Sequence, residues 1–283
     1  MNEERERALS IQHVLVALDD SPHSRAALRA ALELASRFEA QLEGLFVEDV
    51  TLLRLAALPF AQEVGHYSAI RRGIDRQQVE RQLRVRSVRI RRTFHLRARQ
   101  AGVECTFRVV RGIVVTEVLT SAEEADIVVL GKAGWSLPAT RRMGRTARTV
   151  VEEVSTMTLV LQDGARLGAP VLVVYDGSEM AGRALDVAAD VLEDGENVLT
   201  ILLLTEEPER AGELRAQVES RLRGEGGQRL YRLLTVSTVS RLVHRVRLEA
   251  RGMLVLPVRR ALLQEEALSR LVEEINVPVL LVK

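Results

Sequence analysis

At 283 residues, 47% of them apolar and only 3% aromatic, the chain is long enough for one large or two ordinary domains, each with its own core. Its formal net charge of +1 excludes a protein that grips nucleic acid or an anionic membrane with its whole surface. The single cysteine, Cys105, excludes an internal disulfide framework and a cysteine-rich metal site. No apolar run approaches the length of a membrane span, and the first ten residues are charged rather than signal-like, so the expectation is a cytoplasmic protein with no membrane partner.

The first half opens with a buried-strand pattern over 11–19, Val14-Leu15-Val16-Ala17-Leu18-Asp19, followed by a helix over 22–38. Ser21 is placed to cap that helix, with Pro22 at its first position. A strand over 41–47 precedes an irregular segment running to about 75, then a long helix from about 76 to 101. Strand 103–110, helix 113–124, strand 126–131, a loop, helix 145–155 and strand 157–162 complete the half. Strands alternating with helices make βαβ units, hence a parallel sheet covered on both faces. The turn-rich stretch Gln162 to Pro170 breaks the rhythm as a linker.

The second half repeats this order in less space. Val171-Leu172-Val173-Val174-Tyr175-Asp176-Gly177-Ser178 matches the opening strand and cap, and Val272 to Val282 mirrors Val151 to Leu161. The copy has lost 36 residues, many of them between its second and third strands. Two domains are therefore expected, 1–162 and 170–283.

In an open parallel sheet, ligands bind beyond the carboxyl ends of the strands where strand order reverses. Asp19 ends the first strand and Gly131 the fourth, so the two are expected to be neighbours there. Gly131 and Gly134 let backbone approach a ligand without a Cβ in the way, and Gly144 opens a helix whose free amides suit a phosphate. Lys132, Arg141, Arg142 and Arg145 match a polyphosphate in sign. The bland alternative is a strand terminator at Asp19, a helix cap at Ser21 and a glycine loop that binds nothing. The five histidines, His13, His23, His66, His95 and His244, show no metal-ligand spacing, and no nucleophile stands beside a base. Cys105 is read as a core residue.

The strand-Asp-x-Ser start, the spacing Gly131-x2-Gly134-x9-Gly144 and the closing helix and Val/Leu strand resemble the universal stress protein family in its tandem two-domain form. The resemblance implies two doubly wound, Rossmann-like sheets of the adenine nucleotide alpha hydrolase-like type, five strands each in the order 3-2-1-4-5. It implies ATP, or AMP or ADP, bound by the first domain as a stress-response or signalling ligand, with Mg²⁺ accompanying the phosphates and no protein residue ligating metal. Ala17 and Asp19 would face ribose and adenine, Val47 would pack on adenine, and Gly131, Gly134, Gly144 and the amide of Thr146 would embrace ribose and phosphates. Where the family has Ser or Thr after the last glycine, this chain has Arg145, which either pairs with a phosphate oxygen or fills the pocket. The second copy keeps Asp176 and Ser178 but not the glycine loop, with Arg259, Arg260 and Glu265 in that region, and is expected not to bind ATP. It would form a pseudo-dimer with the first through Thr158 to Leu161 and Val279 to Val282, or the whole chain would form a homodimer. On this reading Gly131→Val abolishes binding and leaves the fold intact.

Two rivals remain open at this point: a scaffold for a protein partner with a vestigial site, and a slow ATPase or self-phosphorylating protein using Ser136, Thr140 or Thr146 as acceptor. No catalytic residue is named. Between 71 and 100 the chain holds eleven arginines against two acids, Asp75 and Glu80, while Val79, Leu83, Ile90 and Phe94 form an apolar stripe. This reads as a solvated or acid-paired helix face, and the lack of interleaved aromatics argues against nucleic acid. Leu52, Leu53, Leu55, Leu58, Pro59 and Phe60 are read as an apolar patch packed beneath a loop.

Overall fold

Runs such as Val14-Leu15-Val16 and Val171-Leu172-Val173-Val174 have no polar alternation, so both faces of their strands need cover. The fold supplies it with helices above and below a single sheet. The computed structural model describes residues 11–58, 62–64, 71–73, 75–134, 143–168, 170–192, 198–223, 227–235, 239–249, 252–258 and 265–283. In chain order the first half holds β1 (His13–Ala17), α1 (Pro22–Arg37), β2 (Gln41–Asp49), α2 (Val50–Ala56), β3 (Gln62–Val64) and β4 (Arg71–Gly73). It continues with α3 (Arg76–Ala101), β5 (Cys105–Gly112), α4 (Val114–Ala122), β6 (Ile127–Gly131), α5 (Arg145–Glu153) and β7 (Met157–Leu161). The second half holds β8 (Val171–Tyr175), α6 (Glu179–Val191), β9 (Val198–Leu204), α7 (Ala211–Arg221) and β10 (Gln228–Leu234). It closes with α8 (Val239–Glu249), β11 (Met253–Pro257), α9 (Glu265–Glu274) and β12 (Val279–Val282).

Among the described residues ten strands make one sheet in the order β10-β9-β8-β11-β12-β7-β6-β1-β2-β5. Each half has the order 3-2-1-4-5 with parallel neighbours throughout. The two five-stranded sheets fuse, because β12 pairs antiparallel with β7 in the register Val279↔Val160, Leu280↔Leu159, Leu281↔Thr158. These are the segments from which pairing between the copies is expected. One face of the sheet carries α1, α3, α6 and α7, and the other carries α4, α5, α8 and α9.

Side chains reinforce the seam. Lys132 Nζ donates to the carbonyl of Ile275, just past α9, at 2.7 Å, and Lys283 Nζ donates to the carbonyl of Val151 in α5 at 2.8 Å. Each ammonium thus sits at the negative end of a helix belonging to the opposite half. Ser269 Oγ donates to Glu152 at 2.6 Å, and Arg148 pairs with Glu273 at 2.9 Å.

Both halves begin with the same turn. Ser21 Oγ accepts the Ser24 amide at 3.0 Å to cap α1, and Ser178 Oγ accepts the Ala181 amide at 3.1 Å to cap α6. Asp20 (φ 69°) takes the left-handed conformation that Gly177 (φ 80°) takes in the second half, and its carboxylate pairs with Arg89. Helix α3 occupies its expected range: Asp75 caps it, Gly102 (φ 67°) ends it, and Leu83, Ser87, Ile90, Phe94 and Ala98 are buried. The segment 50–75 departs from expectation. It contains α2, capped by Asp49 accepting the Thr51 amide at 2.8 Å, and the antiparallel pair β3–β4. In the apolar patch only Leu53 is buried, while Leu52, Leu55 and Leu58 are exposed; Pro59 and Phe60 lie outside the described residues. Cys105 packs against the core but is only half-buried, on the edge strand β5, its Sγ 3.5 Å from His95 Nδ1, and burial pushes its thiol pKa up. Among the described residues no helix is long and apolar enough to cross a membrane, and no group of three His, Cys, Asp or Glu is placed to hold a metal.

Candidate functional site

Strand β1 lies between β2 and β6, so strand order reverses between β1 and β6. A cavity of about 420 Å³ opens at their carboxyl ends. Ala17, Asp19, Val47, Gly131, Gly134, Gly144, Arg145 and Thr146, the eight residues named from the sequence, all line it. Its aliphatic wall includes Leu45 and also Val114 and Val118 of α4, which the sequence reading missed. The available signal was their i, i+4 spacing at the start of a helix that follows a sheet strand.

A short network holds the mouth in shape. Asp19 accepts the Ser21 amide at 3.0 Å, and its own amide donates to Ser24 Oγ at 3.1 Å. Ser21 Oγ donates to the carbonyl of Ala133 at 3.4 Å, tying the acid-bearing turn to the glycine loop. The loop is anchored by the Gly144 amide donating to the Lys132 carbonyl at 2.8 Å and the Lys132 amide to the Leu161 carbonyl at 2.6 Å.

The glycines serve different ends. A Cβ on Gly131 would lie 2.8 Å from the His23 carbonyl carbon and 2.9 Å from the Ser24 nitrogen. Its absence therefore lets α1 approach β6, a packing role beside the ligand clearance expected of this glycine. A Cβ on Gly134 would lie 2.8 Å from Asp19 Oδ2, so that glycine protects the position of the acid. Gly144 is the N-cap of α5 and supplies no side-chain acceptor, so the opening amides of the helix have no cap of that kind. This end suits an anion.

The expected cations do not all reach the cavity. The Lys132 side chain is buried and its ammonium is committed to Ile275. Arg145 is exposed at the rim, and the cavity stands open beside it. Arg141, Arg142, Ser136, Thr140 and His66 lie outside the described residues. His23 Nδ1 accepts the Asp163 amide at 3.0 Å. Burial pushes its imidazole pKa below the usual value, against the opposing pull of Asp163 and Asp19.

The corresponding region of the second half differs. Asp176 keeps its turn, accepting the Ser178 amide at 3.0 Å. It borders a cavity of about 290 Å³ lined by Leu204, Thr205, Glu206, Glu207, Arg210 and Leu214. Three acids against one arginine make this a poor place for a polyphosphate. Arg259 and Arg260 lie outside the described residues, and Glu265 is the first residue of α9.

A sequence model of the Universal stress protein family matches residues 10–162. No curated protein shows significant sequence similarity to the chain. Among solved structures, a universal stress protein from Archaeoglobus fulgidus is 15% identical over 97% of this chain and 99% of its own, with a TM-score of 0.71. A putative universal stress protein from Pseudomonas aeruginosa is 14% identical over 98% of this chain and 95% of its own, with a TM-score of 0.56. At these identities the likeness is one of fold, and it extends over both halves.

Proposed function

The chain belongs to the universal stress protein family, and on that premise we propose that it binds ATP, or AMP or ADP, in the cavity of its first half as a stress-response regulator or signalling module. The observation that carries the reading is convergence. Residues from four separate stretches of sequence, chosen for a nucleotide, line one cavity of about 420 Å³ at the strand-order reversal. Aliphatic Val47, Val114 and Val118 offer a surface for a flat base, Asp19 an acceptor for ribose hydroxyls, and the uncapped start of α5 donors for phosphate. Arg145 on the rim adds a cation, and Mg²⁺ would accompany the phosphates without a protein ligand of its own.

The two halves, 1–162 and 170–283, are on this reading tandem copies, of which the second has kept the turn at Asp176 and given up the ligand. Titration calorimetry of the purified chain tests it: ATP should bind, and no heat at about 1 mM nucleotide ends the proposal. Asp176→Ala should leave affinity unchanged. Arg145→Ala should weaken ATP more than AMP if the guanidinium meets the distal phosphates. A scaffold role without nucleotide is the second reading, favoured by the diversion of Lys132 to the seam; mass analysis of freshly purified protein for a carried nucleotide separates the two.

A further inference from the structure

Helix α3 has two stripes with the same rhythm. Leu83, Ser87, Ile90, Phe94 and Ala98 are buried at steps of four, three, four and four. On the opposite face Arg81, Val85, Val88, Arg92, Leu96 and Arg99 repeat at steps of four, three, four, four and three, and all six are exposed. Val85 (61%), Val88 (62%) and Leu96 (55%) are more than half open to solvent, a wasteful placement for aliphatics along about 27 Å of helix. Arg81, Arg92 and Arg99 have no ion-pair partner among the described residues; Arg76 is paired with Glu80 and Arg89 with Asp20.

The complement is on the same chain. Residues 1–162 carry a formal charge of +4 and residues 163–283 a charge of −3. Glu206, Glu207 and Glu209 follow β9, and Glu213 lies in the first turn of α7; all four are exposed, against one exposed arginine, Arg210, in the same stretch. Helices α3 and α7 belong to the same layer and stand near opposite ends of the sheet, α3 over β2 and β5 and α7 over β9. A two-fold axis lying along that layer would set the basic stripe of each copy on the acidic end of the other, so that both contacts form at once, as an isologous interface requires.

We propose that the exposed stripe of α3 is the docking surface for a second copy of this chain, meeting its Glu206–Glu213 region. The inference is independent of the nucleotide reading. Nucleic acid fits the stripe poorly, because aliphatic side chains at its apex would face phosphates. A lipid surface fits poorly too, because Arg92 separates Leu96 from Val85 and Val88 and leaves no continuous apolar face to enter a bilayer.

Sedimentation of the full chain at about 50 µM should show a dimer at low salt that dissociates as salt rises toward about 1 M. Arg92→Glu with Arg99→Glu should be monomeric, and so should Glu207→Arg with Glu209→Arg. Mixed in equal amounts, the two reversed proteins should dimerise, since both contacts regain opposite charges. Circular dichroism confirms that each is folded, and recovery on mixing excludes misfolding as the cause. A wild-type chain that stays monomeric at low salt, reversed variants that dimerise alone, or a mixture that fails to pair overturns the proposal. So does a monomeric wild type that co-sediments with phosphatidylglycerol vesicles, which would assign the stripe to lipid.

Discussion

Gly131 ends β6 and Gly134 stands three residues beyond it, yet substituting them should be felt in different measurements. At Gly131 the new Cβ meets backbone of α1, which has to shift, so Gly131→Ala should cost about 1–3 kcal/mol in urea unfolding. Gly131→Val should cost more, and is therefore no clean probe of binding. At Gly134 the new Cβ meets only the carboxylate of Asp19, which turns aside, so Gly134→Ala should leave stability within about 0.5 kcal/mol. Its ATP affinity should fall by about tenfold or more. His23 supplies a pH dependence. Its folded pKa lies below the unfolded value, so between those two values the unfolded chain binds more protons. The contribution is complete above about pH 6.5 and is lost as pH falls through the folded pKa. Unfolding midpoints at pH 5 and pH 7.5 should differ by more in the wild type than in His23→Gln.

Sequence periodicity disclosed the elements unevenly, for physical reasons. A buried stripe from Leu83 to Ala98 repeats often enough to fix α3 at both ends, with Asp75 and Gly102 as punctuation. Helix α2 has seven residues and turns Leu52 and Leu55 outward, while β3 and β4 have three residues each, too few for any alternation to register. The glycine spacing located the cavity because three backbone constraints fall between one strand and one helix. The destination of Lys132 was hidden, since its partner is a carbonyl 143 residues away and no side-chain pattern marks a carbonyl. Lys132→Met should leave Ile275 without this donor and cost about 1–2 kcal/mol. Hydrogen exchange should then rise at the end of α9 more than in α1. Because the Lys132 carbonyl also holds the Gly144 amide, an equal rise at the start of α5 would show that the loop and the second half move together.

At the scale of the whole molecule, the β7–β12 pair converts two sheets into one. A fragment ending near residue 162 would present β7 as an open edge, with buried Met157, Leu159 and Leu161 on one face and Val160 on the other. Such a fragment should pair with itself through β7, and its dimer should resist salt, because backbone hydrogen bonds and apolar contacts would hold it. That separates it from the salt-sensitive association expected of the full chain through α3. The seam also sets a schedule. Of the two strands that flank the middle of the sheet, β12 is the one the ribosome makes last of all those described, so the first half waits with β7 bare while about 120 further residues are synthesised. A nascent chain of this design leaves β7 open to its neighbours on the same message until β12 emerges, and that strand closes the interval from the centre of the sheet outward.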